Sequence, residues 1–264
     1  MLDVMLSKLA LALATAISGL WAPALYEPAG SAIGGVIRAE GRPAPHAFEL
    51  TGPTDHGELP FTVDLPANSR SEKLMGLVQL IEDTGTDTTY THSTRVRRRE
   101  GKFHFDCSGM MNWMLTRVAP KAREGLDRER PVAATYVRTI ERAPTDRRRK
   151  GWQQIADIED VRPGDLFAWR RPPTWPKGGN TGHVGIVVAV PRAVGFIEGA
   201  YLVKVVDSTR YAHQHDERSQ TGDTGFGSGT ILFMTDDQRH PIGYGWYGTQ
   251  SGGWYETAVV FGRI

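Results

Sequence analysis

The sequence predicts a single α+β domain, because its helical patterns precede its strand patterns instead of alternating with them. Apolar residues recur at helical spacing over residues 69–142, and short β-branched runs dominate residues 161–261. This segregation favours an antiparallel sheet over a doubly wound parallel one. A chain of 264 residues is long enough for one well-buried domain with appendages. We therefore expect residues 67–264 to form the domain.

The first 24 residues have the features of a secretory signal peptide. Lys8 precedes an apolar run over residues 9–20, and Ala22-Pro23-Ala24 has the small-x-small form of a cleavage site. The apolar run is too short to predict a membrane span. The pattern predicts a secreted or periplasmic protein with no stable membrane anchor, although Asp3 leaves open an amphipathic or buried first helix.

Residues 25–66 are predicted to be an irregular lead-in, because six prolines block long helices and central strands there. Helical patterns begin at Ser69, which has capping-box spacing to Glu72. Three helices with apolar stripes are predicted, over residues 69–85, 106–120 and 131–142.

Short runs rich in β-branched residues then predict five strands, over residues 166–169, 183–190, 201–206, 230–234 and 257–261. The glycine-rich segment 222–229 lacks the flanking strand and helix of a phosphate-binding loop, so a flexible loop is expected. Four aromatic residues near the C-terminus are expected to complete a core rather than to stack on a glycan or substrate: Trp246, Tyr247, Trp254 and Tyr255.

The charge pattern indicates no particular partner, since the formal net charge is only +1. Basic runs occur at residues 95–99 and 147–150, without the interleaved aromatic residues of a single-stranded nucleic-acid site. Both runs are expected to be solvated loops, and no nucleic-acid partner is predicted.

Cys107 is the one cysteine of the chain, which excludes an intramolecular disulfide and a cysteine-cluster metal site. It lies at the predicted start of a helix, where free N–H groups and the helix dipole favour a thiolate. Ser108-Gly109 keeps the first turn small, so a carbonyl could approach the sulfur and receive a backbone hydrogen bond. The alternative is a small buried hydrophobic side chain.

His183 is the best-placed of eight histidines to act as the base. It follows Gly182 and opens an apolar strand, so its ring is expected to project from a sheet edge. If this strand forms a hairpin with residues 201–207 around Gly195, Asp207 lies opposite His183 and can orient the imidazole. A polar strand exit, or Ser208 as the partner, remains an alternative.

Three strings in this order resemble the NlpC-type superfamily of cell-wall cysteine peptidases, and the resemblance covers about residues 69–209. They are Phe105-Asp106-Cys107-Ser108-Gly109, Pro163-Gly164-Asp165-Leu166 and Gly182-His183-Val184-Gly185-Ile186-Val187. The resemblance implies a papain-like fold, with Cys107 as nucleophile, His183 as base and Asp207 as the polar third residue. It also implies peptidoglycan stem peptides as the substrate class.

The same resemblance points to Tyr90 as an active-site lining residue, beside Ser108. The family's glycine-rich stretch after the tyrosine is replaced here by residues 91–102, which weakens the correspondence. The segment 120–151 and the loop 191–200 are extended relative to the family, and each could reshape the cleft.

We therefore expect an extracytoplasmic cysteine endopeptidase or amidase that works through an acyl-enzyme. An acyltransferase or thioesterase on the same fold, or a catalytically silent wall-binding module, is the alternative. No cofactor is expected. His213-Gln214-His215-Asp216 could ligate a metal, but alternating histidines in a polar loop are more often solvated and no third ligand is evident, so no metal site is predicted.

Overall fold

The computed structural model of the protein describes residues 46–48, 61–62 and 64–264. The predicted signal peptide and most of the lead-in lie outside these residues. The described part is a mixture of helices and antiparallel strands, which confirms the α+β class. Within it, no helix has the length and apolar character needed to cross a membrane.

The described residues contain five α-helices, and the three predicted ones are among them. They are α1 (Ser69–Thr84), α2 (Cys107–Val118), α3 (Pro120–Glu124), α4 (Ala133–Glu141) and α5 (Arg218–Thr221). The expected capping box at Ser69 is wrong, because the Asn68 side chain accepts from the N–H groups of Arg70 and Ser71 and caps α1. The predicted break at Pro120 is confirmed, and α3 begins there.

Eleven strands are present in the described part, and the five predicted strands are among them. They are β1 (Arg95–Arg97), β2 (Lys102–His104), β3 (Gln153–Ile155), β4 (Leu166–Arg170), β5 (Gly182–Val187), β6 (Arg192–Ala193), β7 (Ala200–Thr209), β8 (Gly225–Thr235), β9 (Pro241–Gly245), β10 (Tyr255–Glu256) and β11 (Val259–Arg263).

The strands form two antiparallel sheets. β1 pairs with β2, and the large sheet has the order β10-β9-β8-β7-β5-β4-β11-β3, with β6 added beside β7. α2 and α4 pack on its central strands, and Met110, Met114 and Ile140 join Val184 and Ile186 in one buried cluster. A second cluster contains Trp169, Phe233, Tyr244, Trp246 and Tyr255. Trp246 and Tyr255 therefore belong to a core, as predicted, whereas Tyr247 and Trp254 are only partly buried and pack against core clusters.

The expected flexible loop over residues 222–229 is wrong. β8 begins at Gly225, and its first residues pair with the end of β7 from Thr209 back to Val205. Gly225 has a φ of 98°, and a side chain there would collide with the backbone of Thr88. The glycines therefore let a strand pack closely, which the sequence pattern alone did not distinguish from a loop.

Candidate active site

Cys107 is the first residue of α2, and the preceding Asp106 caps the helix. Asp106 Oδ1 accepts hydrogen bonds from Gly109 N–H at 2.7 Å and from Ser108 Oγ at 3.0 Å, and Asp106 O accepts from Met110 N–H. The Cys107 and Ser108 N–H groups at the helix start are left without an intrahelical acceptor. The local structure thus supplies a thiol and two N–H donors at the positive end of a helix.

His183 is the second residue of β5, and the preceding Gly182 allows the start of β5 to lie close to the backbone of β4. Gly182 has a φ of 127°, and any side chain there would collide with the Trp169 carbonyl on the paired strand β4. The His183 ring lies 5.1 Å from the Trp169 ring and 5.3 Å from the Trp246 ring, measured between centroids. Aromatic packing therefore fixes the imidazole, and His183 is 7% exposed.

Asp207 lies on β7 and contacts the His183 ring, with 2.6 Å between Asp207 Oδ2 and His183 Nε2. The predicted register is wrong by two residues. Ile186 pairs with Val206 and Val187 with Val205, a register that places Asp207 across from Gly185 rather than His183. A shift of two residues keeps a side chain on the same face of a sheet, so Asp207 reaches the ring diagonally.

Ser208, the alternative partner, is buried elsewhere. Its hydroxyl donates to the Phe105 carbonyl at 2.7 Å, on the opposite side of β7 from Asp207. That bond ties β7 to the residue just ahead of Asp106 and Cys107. Ser208 therefore contributes to the placement of α2 against the sheet and not to the imidazole.

Two further side chains that the sequence analysis did not assign to the site hold Asp207. His213 Nε2 lies 2.7 Å from Asp207 Oδ2, and Arg218 Nη2 donates to Asp207 Oδ1 at 3.0 Å. Arg218 also donates to both carboxylate oxygens of Asp216, at 2.6 Å and 2.9 Å. The side chains of His213, Asp207 and Asp216 are fully buried, and that of Arg218 is 4% exposed.

The expectation that His213 is solvated is therefore wrong. Its Nδ1 lies 3.3 Å from the Trp246 carbonyl while its Nε2 faces Asp207, and the ring packs 4.2 Å from the Trp246 ring centroid. The glycines of β8 make room for this network. A Cβ atom on Gly227 would lie 2.6 Å from Arg218 Nε, and one on Gly229 would lie 2.8 Å from Asp216 Oδ2.

The sequence does contain one indication of this network, in glycines that occur at every second position. Gly225, Gly227 and Gly229 alternate along one face of a strand, which indicates close packing against that face rather than a flexible turn. No local pattern, however, indicates which side chains fill the space. His213 and Arg218 reach it from the segment that connects β7 to β8.

The charges of the network act on its two central groups. Burial alone lowers the pKa of His183, but the negative charges of Cys107 and Asp207, with their hydrogen bonds to the ring, raise the pKa from 6.5 to about 10. Burial alone raises the pKa of Asp207, but His213, Arg218 and His183 hold it well below its ordinary range. The site therefore favours an imidazolium next to an ionised Asp207.

The predicted residues Tyr90, Ser108, Cys107 and His183 line one cleft of about 720 Å³. Tyr90 is half-buried, and its backbone bridges to Phe105, two residues ahead of Cys107. Asp207 lies behind His183 and does not line the cleft. The structure thus brings all five predicted site residues together, with Asp207 in a supporting position.

His183, Asp207 and His213 also form the one group of potential metal ligands found among the described residues, with ligand atoms within 4.8 Å of one another. Zinc ligands lie about 2.0–2.2 Å from the ion, which separates the N and O ligands of one ion by roughly 3 Å or more. The observed N–O distances of 2.6 Å and 2.7 Å are those of direct hydrogen bonds. The donor set as arranged fits a hydrogen-bonded triad rather than a metal centre.

Comparison with known proteins adds one relative. No family model matches the chain, and no solved structure matches it. The chain is similar to uncharacterized protein R653 of Acanthamoeba polyphaga mimivirus, with 28% identity over 180 residues that cover 60% of this chain and 77% of the relative.

Proposed function

We propose that this protein is a cysteine hydrolase of papain-like fold that cleaves an amide bond, with Cys107 as the nucleophile and His183 as the general base. The observation that carries the proposal is the chain of contacts from Cys107 through His183 to Asp207. Asp207 binds His183 Nε2, so Nδ1 is the ring nitrogen that remains for the sulfur and the substrate. Cysteine, histidine and an orienting carboxylate at a helix start are the parts that thiolate catalysis needs.

In the proposed reaction, the Cys107 thiolate attacks the amide carbonyl carbon, and the N–H groups of Cys107 and Ser108 receive the developing oxyanion. The His183 imidazolium then protonates the leaving amine as the carbon–nitrogen bond breaks, which leaves a thioester on Cys107. Neutral His183 next accepts a proton from water, whose oxygen attacks the thioester. Release of the carboxylic acid restores the thiolate and the imidazolium.

Asp207 supports both steps without touching the substrate. An ionised carboxylate on Nε2 keeps the imidazole in the tautomer that presents Nδ1 to the sulfur, and it stabilises the imidazolium. Arg218 and His213 hold that carboxylate in one position. The substrate class rests on the NlpC-type sequence strings alone, which favour the stem peptides of peptidoglycan, outside the cytoplasm.

The test is incubation of the purified protein with peptidoglycan fragments in water enriched in ¹⁸O, followed by mass spectrometry. Hydrolysis predicts a new carboxyl group that carries one ¹⁸O atom and a transient acyl adduct on Cys107. Cys107→Ala should abolish both. Acyl transfer to an amine without ¹⁸O incorporation would favour the acyltransferase alternative, and an absence of any product would contradict the proposed substrate class.

A further inference from the structure

The side chains that line the active-site cleft carry more positive than negative charge. Arg171 and Lys177 come from the loop between β4 and β5, and Arg210 follows the end of β7. Asp106 is the only carboxylate among the described lining residues. Two separate segments thus place cations around the Cys107 thiol.

The one carboxylate is already occupied. Asp106 Oδ1 binds the first turn of α2, and Oδ2 lies 2.9 Å from His92 Nδ1. No ion pair among the described residues joins it to the three cations of the cleft.

The three cations have no carboxylate partner among the described residues. Arg171 Nη1 donates to the Pro176 carbonyl at 2.7 Å, and the Arg210 guanidinium lies 5.3 Å from the centre of the Tyr90 ring. Lys177 and Arg210 are exposed to solvent. Neither a backbone carbonyl nor an aromatic face neutralises a positive charge, so the cleft presents an uncompensated cationic wall.

Apolar surface accompanies this charge. Tyr211 is 45% exposed and Val132 is 38% exposed, and both line the same cleft. They are two of the three large hydrophobic residues that are exposed in the described part of the chain. The cleft therefore offers apolar contact together with positive charge.

From this juxtaposition we propose that the cleft selects an amide substrate with a free carboxylate near the scissile bond, and that Arg171, Lys177 and Arg210 provide its recognition charge. The inference takes the reaction from the proposed function, whereas the positive charge of the cleft is observed whether or not that function is correct. Arginine suits this role, because its planar guanidinium donates two parallel hydrogen bonds to a carboxylate.

The test compares alkylation of Cys107 by iodoacetate, an anion, with alkylation by iodoacetamide, its neutral counterpart. The ratio of the two rates cancels the intrinsic reactivity of the thiol and reports the potential in the cleft. We expect the triple variant Arg171→Gln, Lys177→Gln, Arg210→Gln to lower the ratio by about tenfold, because the anionic reagent loses its attraction to three nearby cations and the neutral reagent does not.

A matched control removes the same charges elsewhere. Lys121, Arg128 and Arg147 are exposed and do not line the cleft, so the triple glutamine variant at these positions should keep the wild-type ratio. High salt should lower the wild-type ratio toward that of the cleft variant, because screening shortens the reach of the cations.

An unchanged ratio in the cleft variant, or an equal fall in the control variant, would overturn the inference while leaving rapid iodoacetamide alkylation, and hence the thiolate, in place. A second readout avoids thiol chemistry. NMR titration of the Cys107→Ala protein should show that succinate binds more tightly than succinamide, and that the cleft variant loses the difference. Equal affinities in the Cys107→Ala protein would contradict carboxylate selection.

Discussion

Two histidine–aspartate pairs flank Cys107, and they differ in burial far more than in geometry. His183 Nε2 lies 2.6 Å from Asp207, with side chains 8% and 0% exposed. His92 Nδ1 lies 2.9 Å from Asp106, with side chains 73% and 18% exposed. The same chemical pair thus occurs once inside the domain and once at its rim.

The difference is the reason that we propose the inner pair, and not the outer one, as the partner of the thiol. A buried charge pair acts through a low dielectric and is held by packing, whereas a pair at the surface is screened by water and salt. The inner pair also has two more partners, His213 and Arg218, that fix the carboxylate. Burial, the contact with Cys107 and two further hydrogen-bond partners of the carboxylate separate the proposed base from its neighbour.

Among substitutions in the two histidine–aspartate pairs, Asp207→Asn is expected to have the largest effect on catalysis. The amide keeps the shape but loses the charge that orients His183 and stabilises its imidazolium, so turnover should fall by about 10³–10⁴-fold. Steady-state kinetics on the substrate identified with the ¹⁸O assay measure this change. A loss of less than tenfold, in a variant with a wild-type circular dichroism spectrum, would contradict the role of Asp207 in orienting and stabilising the His183 ring.

The Asp207→Ala and Asp106→Ala variants are expected to differ in their free energy of unfolding, because one carboxylate is buried and the other lies near the surface. The first change leaves Arg218 and two histidines around a buried gap, at a cost of about 3–5 kcal/mol in the free energy of unfolding. The second removes a helix cap, at a cost of about 1 kcal/mol. Urea denaturation of both variants measures the difference, and equal costs would contradict the assigned role of burial.

The pH dependence of stability should follow the inner pair. The pKa of His183 is raised to about 10, so its stabilisation is complete below its ordinary pKa of 6.5 and is lost as pH rises toward 10. The pKa of Asp207 is lowered, so its stabilisation is present above its ordinary pKa of 3.8 and is lost only in stronger acid.

The difference in unfolding free energy between wild type and Asp207→Asn should therefore be largest between about pH 4 and pH 6.5 and should decline by pH 10. Urea midpoints measured for both proteins across this range test the prediction. A difference that grows with rising pH would mean that the ring is neutral when Asp207 binds it.

The parts of this site that follow from local sequence were predictable. The helix start at Cys107 and the strand that presents His183 each leave a periodic signal within a few residues. Asp207 was predicted with the wrong register but on the correct face, because a shift of two residues preserves the alternation of a strand.

The supporting network was not predictable, because it depends on contacts between segments. His213 and Arg218 lie in a polar segment of a type that is ordinarily exposed to solvent. They are buried because Gly227 and Gly229 on β8 leave space for them. The positions of these groups are set by the sheet register and by close backbone packing. Neither leaves a pattern within the connection itself.

The most direct test of the central claim is the rate of Cys107 alkylation by iodoacetamide at pH 6, in wild type, His183→Ala and His92→Ala. We expect rapid alkylation in wild type, a loss of at least about tenfold in His183→Ala and less than about a twofold change in His92→Ala, because the buried imidazolium adds to the helix dipole in stabilising the thiolate and the exposed His92 does not. Equal losses in the two variants, or a wild-type thiol that reacts only after unfolding, would contradict the proposed role of His183.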